Sequence, residues 1–295
     1  MKKLLAITLL LAMLFTLLAC NASDSSYSDD DDEDEDDKVS DHISSGDVTI
    51  EETVICDQNG IKITVHSLEI NEMGGYNILN VTLENSSDRN LTVTGTEFSV
   101  NDLIVSGTLY CELNAGATKE EALYISHDDL KRGGIELIQT MEFGITAFDP
   151  ETYDTIFKTE PVMIQTSADP SYVQKYKDEG TLLYEDDNLR IVLQGCGKAQ
   201  YLDAQEIYLF IENKSQQTWT IQCKEFAVNG TTVDPVCSSS VGAGKKRHDE
   251  IIIYNERLTE ANIETIENFT VTFIMVDFSD WSTSYTTQSI TADIQ

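Results

Sequence analysis

The chain has 295 residues, 52 acidic and 19 basic, for a formal net charge of -33. Such a charge repels phosphate, which excludes nucleic acid and anionic membrane surfaces as partners bound through charge. The length suits about two domains of ordinary size, and a hydrophobic content of 41% is enough for each to bury a core.

The N-terminus sets the compartment. Lys2-Lys3 form a basic start, Leu4 to Leu18 an apolar stretch short for a membrane span, and Leu17-Leu18-Ala19-Cys20 a cleavage site. The pattern resembles a bacterial lipoprotein signal, which implies that residues 1–20 carry the signal and that Cys20 is the lipidated first residue of the mature protein. Leu18, just before Ala19, departs from the small residue more usual at that place in the motif. An ordinary cleaved signal and an uncleaved anchor are the alternatives. Each places the chain outside the cytoplasm; lipidation anchors it to the outer face of the bacterial cell membrane, with the bilayer as partner through the acyl chains on Cys20.

Residues 21–46 are rich in Ser, Asp and Glu, with an unbroken acidic run from Asp29 to Asp37. A segment so poor in apolar side chains cannot offset its chain entropy by burial, so a disordered acidic tether is expected. Self-repulsion stretches it, and at roughly 3 Å per residue it reaches on the order of 70 Å. A weak sink for hard cations is the alternative, although nothing in the run fixes ligand geometry.

From Val48 onward the chain repeats itself. Aligning Ile61 with Leu189, an offset of 128, keeps the two copies in step without a gap to Ile164 and Ala292. Glu84-Asn85 then meets Glu212-Asn213, Glu97-Phe98 meets Glu225-Phe226, Val100-Asn101 meets Val228-Asn229, and Ala115-Gly116 meets Ala243-Gly244. The period exceeds that of a solenoid unit, so each copy is expected to be a whole domain.

In the first copy strands are predicted near Thr49 to Ile55, Gly60 to Ile70, Tyr76 to Glu84, Leu91 to Val100, Leu103 to Leu109, Glu121 to Ile125, Glu142 to Phe148 and Thr155 to Ile164. Alternation in Ile61-Lys-Ile-Thr-Val and Leu79-Asn-Val-Thr-Leu implies one buried and one wet face, the pattern of an antiparallel sandwich. Asn229-Gly230 signals a type I′ hairpin and Asn101-Asp102 a weaker one; they set Phe98 opposite Val105 and Phe226 opposite Val233. One short helix per copy is expected, within Ser126 to Ile138 and Asn255 to Ile266. Between the copies Asp169-Pro170 reads as a helix start and Gly180 as its end, making residues 167–180 a short helical linker. The domains are then 47–166 and 181–295.

No catalytic motif is visible. His42, His66, His127 and His248 stand far apart without metal-ligand spacing, and no nucleophile elbow, Walker loop or dinucleotide fingerprint occurs. The expectation is a chain that is not an enzyme and needs no cofactor or metal. Besides Cys20 there are five cysteines, Cys56, Cys111, Cys196, Cys223 and Cys237. Cys223 and Cys237 flank the Asn229-Gly230 hairpin, where strict pairing sets Cys223 opposite Val236. A disulfide between them therefore needs a one-residue bulge, which Pro235 favours. The other reading is five small buried hydrophobes.

The copies part where Asn80 and Thr82 correspond to Tyr208 and Phe210. With Ile274 and Val276, these give the second copy apolar residues on outward positions, a face packed on the first copy or offered to a partner. Lys245-Lys246-Arg247-His248 is a basic cluster in an acidic chain. It reads as a solvated loop leading into a strand, with an anionic wall polymer or the acidic tether as alternative contacts.

The Glu-Asn-x-Ser turn, the Phe-x-Val-Asn hairpin, the Ala-Gly loop and the Leu-then-Ile helix resemble the immunoglobulin-like repeat domains of unknown function in lipoproteins of Gram-positive, clostridial-type bacteria. The resemblance implies an all-β chain of two tandem immunoglobulin-like antiparallel β-sandwiches with one short helix each. The function expected is non-catalytic binding of an extracellular protein, peptide or cell-wall polymer. An envelope stress or inhibitor module that captures a secreted enzyme through Tyr208 and Phe210 is the alternative, and a metal-dependent hydrolase the third.

Overall fold

Ile61, Ile63 and Val65 alternate with polar neighbours, as do Leu79, Val81 and Leu83, and all six are at most 1% exposed. Strands patterned this way bury one face, and each such side chain contributes about 1.5–3 kcal/mol on leaving water. The structure, a computed structural model, describes residues 48–71, 75–281 and 284–294. The expected signal, Cys20 and the acidic tether lie outside the described residues.

The fold is all-β with two short helices. The first half runs β1 (Thr53–Gln58), β2 (Ile61–Asn71), β3 (Tyr76–Asn85), β4 (Leu91–Val100), β5 (Leu103–Ile104), β6 (Gly107–Thr108), β7 (Tyr110–Leu113), β8 (Thr118–Ser126), α1 (His127–Gly133), β9 (Thr140–Phe148), β10 (Thr155–Lys158) and β11 (Val162–Gln165). The second runs β12 (Thr181–Glu185), β13 (Leu189–Lys198), β14 (Ala204–Asn213), β15 (Trp219–Val228), β16 (Thr231–Thr232), β17 (Ser238–Val241), β18 (Lys246–Tyr254), α2 (Asn255–Glu260), β19 (Asn268–Asp277), β20 (Ser284–Thr286) and β21 (Ile290–Asp293). Strands β14, β15, β16, β17, β18 and β21 begin and end 128 residues after β3, β4, β5, β7, β8 and β11.

Each half has its own buried cluster, one around Ile63, Leu79, Leu123 and Phe143 and one around Ile191, Leu209, Phe269 and Phe273. In the first half, β1, β2, β3, β8 and β6 form a sheet of five strands. The remaining strands of that half do not stop at its edge. Strand β5 lies parallel to β18, with Leu103 beside Lys246, so a ten-stranded sheet runs through β10, β9, β4 and β5 into β18, β14, β13 and β12. A sheet of six strands built on β15 and β19 closes the second half. All described residues fall in one compact unit.

One joint is built identically in both halves. Asn85, 2% exposed, donates from Nδ2 to the carbonyls of Arg89, Leu113 and Asn114 and accepts from Ser87. Asn213, 1% exposed, donates to Gln217, Val241 and Gly242 and accepts from Ser215. A carboxamide is the side chain that can satisfy three inward carbonyls and a turn N–H from one buried position, which is why Glu-Asn-x-Ser recurs.

Both hairpin turns have positive φ at their two central residues, Asn101 and Asp102 in one, Asn229 and Gly230 in the other. They set Phe98 against Val105 and Phe226 against Val233, each bonded through its backbone. Elsewhere the expected elements are broken more finely. The strand read over Leu103 to Leu109 is two short pieces, β5 and β6, and β7 follows as a separate strand. The strand read over Thr155 to Ile164 is interrupted before Pro161, which has no N–H for a ladder. The helices are shorter than expected: α1 starts on the Ser126 cap and stops at Gly134, φ 72°.

The linker 167–180 is not a helix. Asp169 caps a single turn through Ser171, after which residues 172–179 run without helical or strand hydrogen bonding. Tertiary bonds decide this: Gln174, Tyr176 and Lys177 each bond to the first half rather than to one another. An eight-residue stretch gains little from helix propensity alone, so docking wins.

Candidate functional site

The basic cluster is the seam between the halves. Gly242 to Gly244 turn the chain, and the amide of Lys246 donates to the Asp102 carbonyl at 2.9 Å, which fixes β18 beside the tip of the first hairpin. Lys245 Nζ lies 2.9 Å from Asp102 and 2.6 Å from Glu142, both in the first half. Burial disfavours its charge, but the hydrogen bonds to Glu142 and Asp102 outweigh that, so its pKa stands above the ordinary lysine value. Lys246 reaches Glu212 and lies 4.8 Å above the Tyr176 ring. Arg247 Nε meets Asp249 at 2.6 Å as an ion contact without hydrogen-bond alignment. Arg132 of α1 pairs with Glu250 at 3.0 Å. The solvated loop expected from sequence is thus a partly buried set of ion pairs.

His248 sits inside this set. Its Nδ1 is 2.8 Å from Gln194 Oε1, its ring is edge-on to Phe210 at 5.1 Å, and its Nε2 is buried without a partner. Burial, with Arg132 adding to it, pushes its pKa down to about 4, so the ring is neutral at pH 7. Beside it Glu250 is raised by burial and by Asp249, against the pull of Arg132.

The four outward apolar residues do not share one face. Phe210 is 1% exposed, covered by Tyr176 of the linker, by His248 and by the Arg190 guanidinium. Tyr208 lies half-buried under Arg132. Ile274 and Val276 are on β19, in the six-stranded sheet, paired with Gln222 and Thr220. So Tyr208 and Phe210 lie against the first half and the linker, while Ile274 and Val276 are on the other sheet.

The five described cysteines are unbridged. Strands β15 and β16 pair Ala227 with Thr232, a register that leads to Val236 opposite Cys223. Strands β15 and β17 pair Gln222 with Ser238, a register that leads instead to Cys237 opposite Cys223. The one-residue change lies between Val233 and Ser238. A hydrogen bond between the two thiols, reinforced by burial, raises the Cys223 pKa well above the usual thiol range. Cys56 and Cys111 are buried in the first core.

Among the described residues no three His, Cys, Asp or Glu side chains converge on a point that would hold a metal. His66, on β2 of the five-stranded sheet, bonds Glu52 and Thr82, whereas His248 is on β18 of the ten-stranded one. Two clefts stand out. One of about 580 Å³ runs along the seam between Glu97, Glu142 and Pro161 on one wall and Lys245, Arg247 and Phe278 on the other. The other, about 770 Å³, opens at the end of the second half between Cys196, Leu258 and the loop from Asn262 to Ile266.

Sequence reading missed the role of Tyr176 and Gln174. The signal available was their alternation in Tyr172-Val-Gln-Lys-Tyr, which suits an extended docked segment better than a helix.

No protein-family model matches the chain, and no curated protein matches it. Among solved structures it is similar to a protein of unknown function from Porphyromonas gingivalis W83, at 10% identity and a TM-score of 0.23, over 80% of this chain and 100% of that one. It is also similar to the Salmonella enterica SafA pilin in complex with the SafB chaperone, at 11% identity and a TM-score of 0.20, over 74% of this chain and 89% of that one. Likeness at that level carries no argument about function.

Proposed function

We propose that this chain is a non-catalytic, lipid-anchored protein of the outer face of a bacterial cell membrane. In it two immunoglobulin-like modules, duplicates of one another and fused edge to edge, present a binding surface to a protein, peptide or cell-wall polymer. The observation that carries the reading is the seam. Lys245 and Arg132 pair with carboxylates across it, the Lys246 amide donates to the Asp102 carbonyl, and a cation at 17% side-chain exposure such as Lys245 holds a fixed angle. A rigid pair of sandwiches held off a membrane by a charged tether suits presentation of a surface rather than closure around a substrate. The equal spacing of strands and the twin Asn85 and Asn213 joints support duplication.

Capture of a secreted enzyme through Tyr208 and Phe210 has no support from the geometry, since Phe210 is covered. The anchoring is tested by membrane fractionation of the wild type and Cys20→Ala. The wild type is expected with membranes and the variant in the medium; firm membrane attachment of the variant contradicts lipidation. Partner binding is tested by cross-linking on intact cells, where the wild type should give a discrete adduct and its absence under saturating cross-linker contradicts the binding reading.

A further inference from the structure

The two halves carry the same surface at their hairpin ends, and one copy of it is occupied. In the first half, segment 169–177 lies across the Asn101 turn and the loop that follows α1. Asn101 Nδ2 donates to Gln174 Oε1 at 3.0 Å, Gln174 Nε2 donates to the Gly134 carbonyl at 2.8 Å, and Tyr176 Oη donates to the Asn101 carbonyl at 2.5 Å. The Lys177 amide donates to the Gly133 carbonyl, and its Nζ reaches the Lys131 carbonyl at 3.2 Å. Beside this segment and Thr166, whose hydroxyl donates to the Ile138 carbonyl, Asn101 is 5% exposed, Ile135 1% and Ile138 2%.

The second half builds the same surface with nothing described on it. Asn229 replaces Asn101 and keeps its internal bonds: Nδ2 donates to the Thr265 carbonyl, and Oδ1 accepts from the amides of Glu267 and Asn268, as Asn101 does with Leu137, Gln139 and Thr140. Asn262 has the same left-handed backbone as Gly134, φ 57° against 72°. Yet Asn229 is exposed, and Ile263 and Ile266 are only partly covered. The cleft of about 770 Å³ opens beside them. The rim differs in charge as well: Arg132 and Gln139 of the first half correspond to Glu260 and Glu267, which with Glu264 make the second face acidic and exposed.

We propose that the Asn229 turn and the Ala261–Ile266 loop form a docking face for a basic, extended peptide of another protein, bound as Gln174-Lys-Tyr-Lys177 is bound to the first half. A carboxamide two residues before a tyrosine would bond Asn229 Nδ2 and the Asn262 carbonyl, while the tyrosine hydroxyl would donate to the Asn229 carbonyl. Lysines flanking the tyrosine would meet Glu260, Glu264 and Glu267. The inference rests on the binding reading above and names the chemistry of its partner.

The test uses the full chain in detergent and a synthetic, C-terminally amidated peptide of the sequence Ser-Tyr-Val-Gln-Lys-Tyr-Lys, followed by amide chemical shifts during titration. Saturable shifts confined to Asn229 and the 261–267 loop are expected. They should weaken at least tenfold when the peptide's Gln and second Tyr are alanine, or when the protein carries Glu264→Lys and Glu267→Lys, two exposed changes that leave the fold intact. Shifts centred instead on Asn101, Gly133 and Gly134 mean that the peptide displaces the resident segment, and overturn the proposal. So does the absence of saturable shifts, or binding indifferent to the charge reversals. A cell-surface adduct that persists in the Glu264→Lys, Glu267→Lys variant would leave the binding function standing while removing this face from it.

Discussion

Asn101 and Asn229 occupy the same turn of the two halves and hold the same backbone groups, and they differ in what lies on top of them. The first is sealed under a segment that would otherwise be a free linker; the second faces solvent. A second pair of equivalent positions differs the other way. Thr118 opens β8 beside β3 alone, whereas Lys246 opens β18 between β14 and the hairpin tip of the first half. The comparison teaches that the interior joints of the two copies are interchangeable while their ends are specialised. One end of the first half is taken up by the linker and the seam, and the matching end of the second is left open among the described residues.

Substitutions at equivalent sites break or sharpen that comparison. The largest effect is expected at the interior joint. Asn85→Ala and Asn213→Ala each strand three carbonyls and should cost about 3 kcal/mol or more, by similar amounts, in urea unfolding. A loss in one without the other would mean that the twin joints are not equivalent. Next comes the seam. Lys245→Met leaves Glu142 without its cation and should cost about 2–3 kcal/mol, while Lys158→Met, at a pair exposed on both sides, should change the melting temperature hardly at all. The turns should then separate. Asn101→Ala is expected to cost about 2 kcal/mol and Asn229→Ala about 1 kcal/mol, because the former also loses Gln174.

A further effect, of about the size expected at Asn229, is one of pH. His248 has a folded pKa of about 4, below its unfolded value near 6.5. Its contribution to stability is therefore complete above pH 6.5 and is lost as pH falls toward 4, since the unfolded ring takes up a proton that the folded one refuses. Glu250, raised by burial, works in the opposite sense, and Asp129, Asp178, Arg132 and Lys177 also face the ring. Allowing for these and for water at the ring edge, the wild type should lose about 1 kcal/mol between pH 7 and pH 5 relative to His248→Gln. Parallel melting curves at the two pH values check this, and an equal loss in both proteins would remove His248 from the account.

The strands were legible because period-two alternation is a local property, and the repeat made it readable twice. Turn chemistry was equally local: Asn-Gly and Asn-Asp both require left-handed backbone, and both have it. The linker was misread for the same reason, since Asp-Pro signals a helix start only if nothing outbids it, and Asn101 and Gly134 do so from 73 and 40 residues away. The seam was invisible as a seam. Lys245 carries no mark of its acidic partners at Asp102 and Glu142, because ion pairing across a tertiary contact leaves no spacing in the chain. Tyr208 and Phe210 drew attention as departures between the copies, and their surroundings are the linker and α1, which the alignment alone does not bring near them.

Amide hydrogen exchange tests the central claim, that β18 is bound into the sheet of the first half, most directly. Lys246 donates to the Asp102 carbonyl, and its counterpart Thr118 has a strand on one side alone. The account predicts that the Lys246 amide exchanges as slowly as the interior amides of β14 and β18, with Thr118 exchanging much faster. Equal, fast exchange at Lys246 and Thr118, with the β14 amides still protected, would show two halves that are merely adjacent and would contradict it.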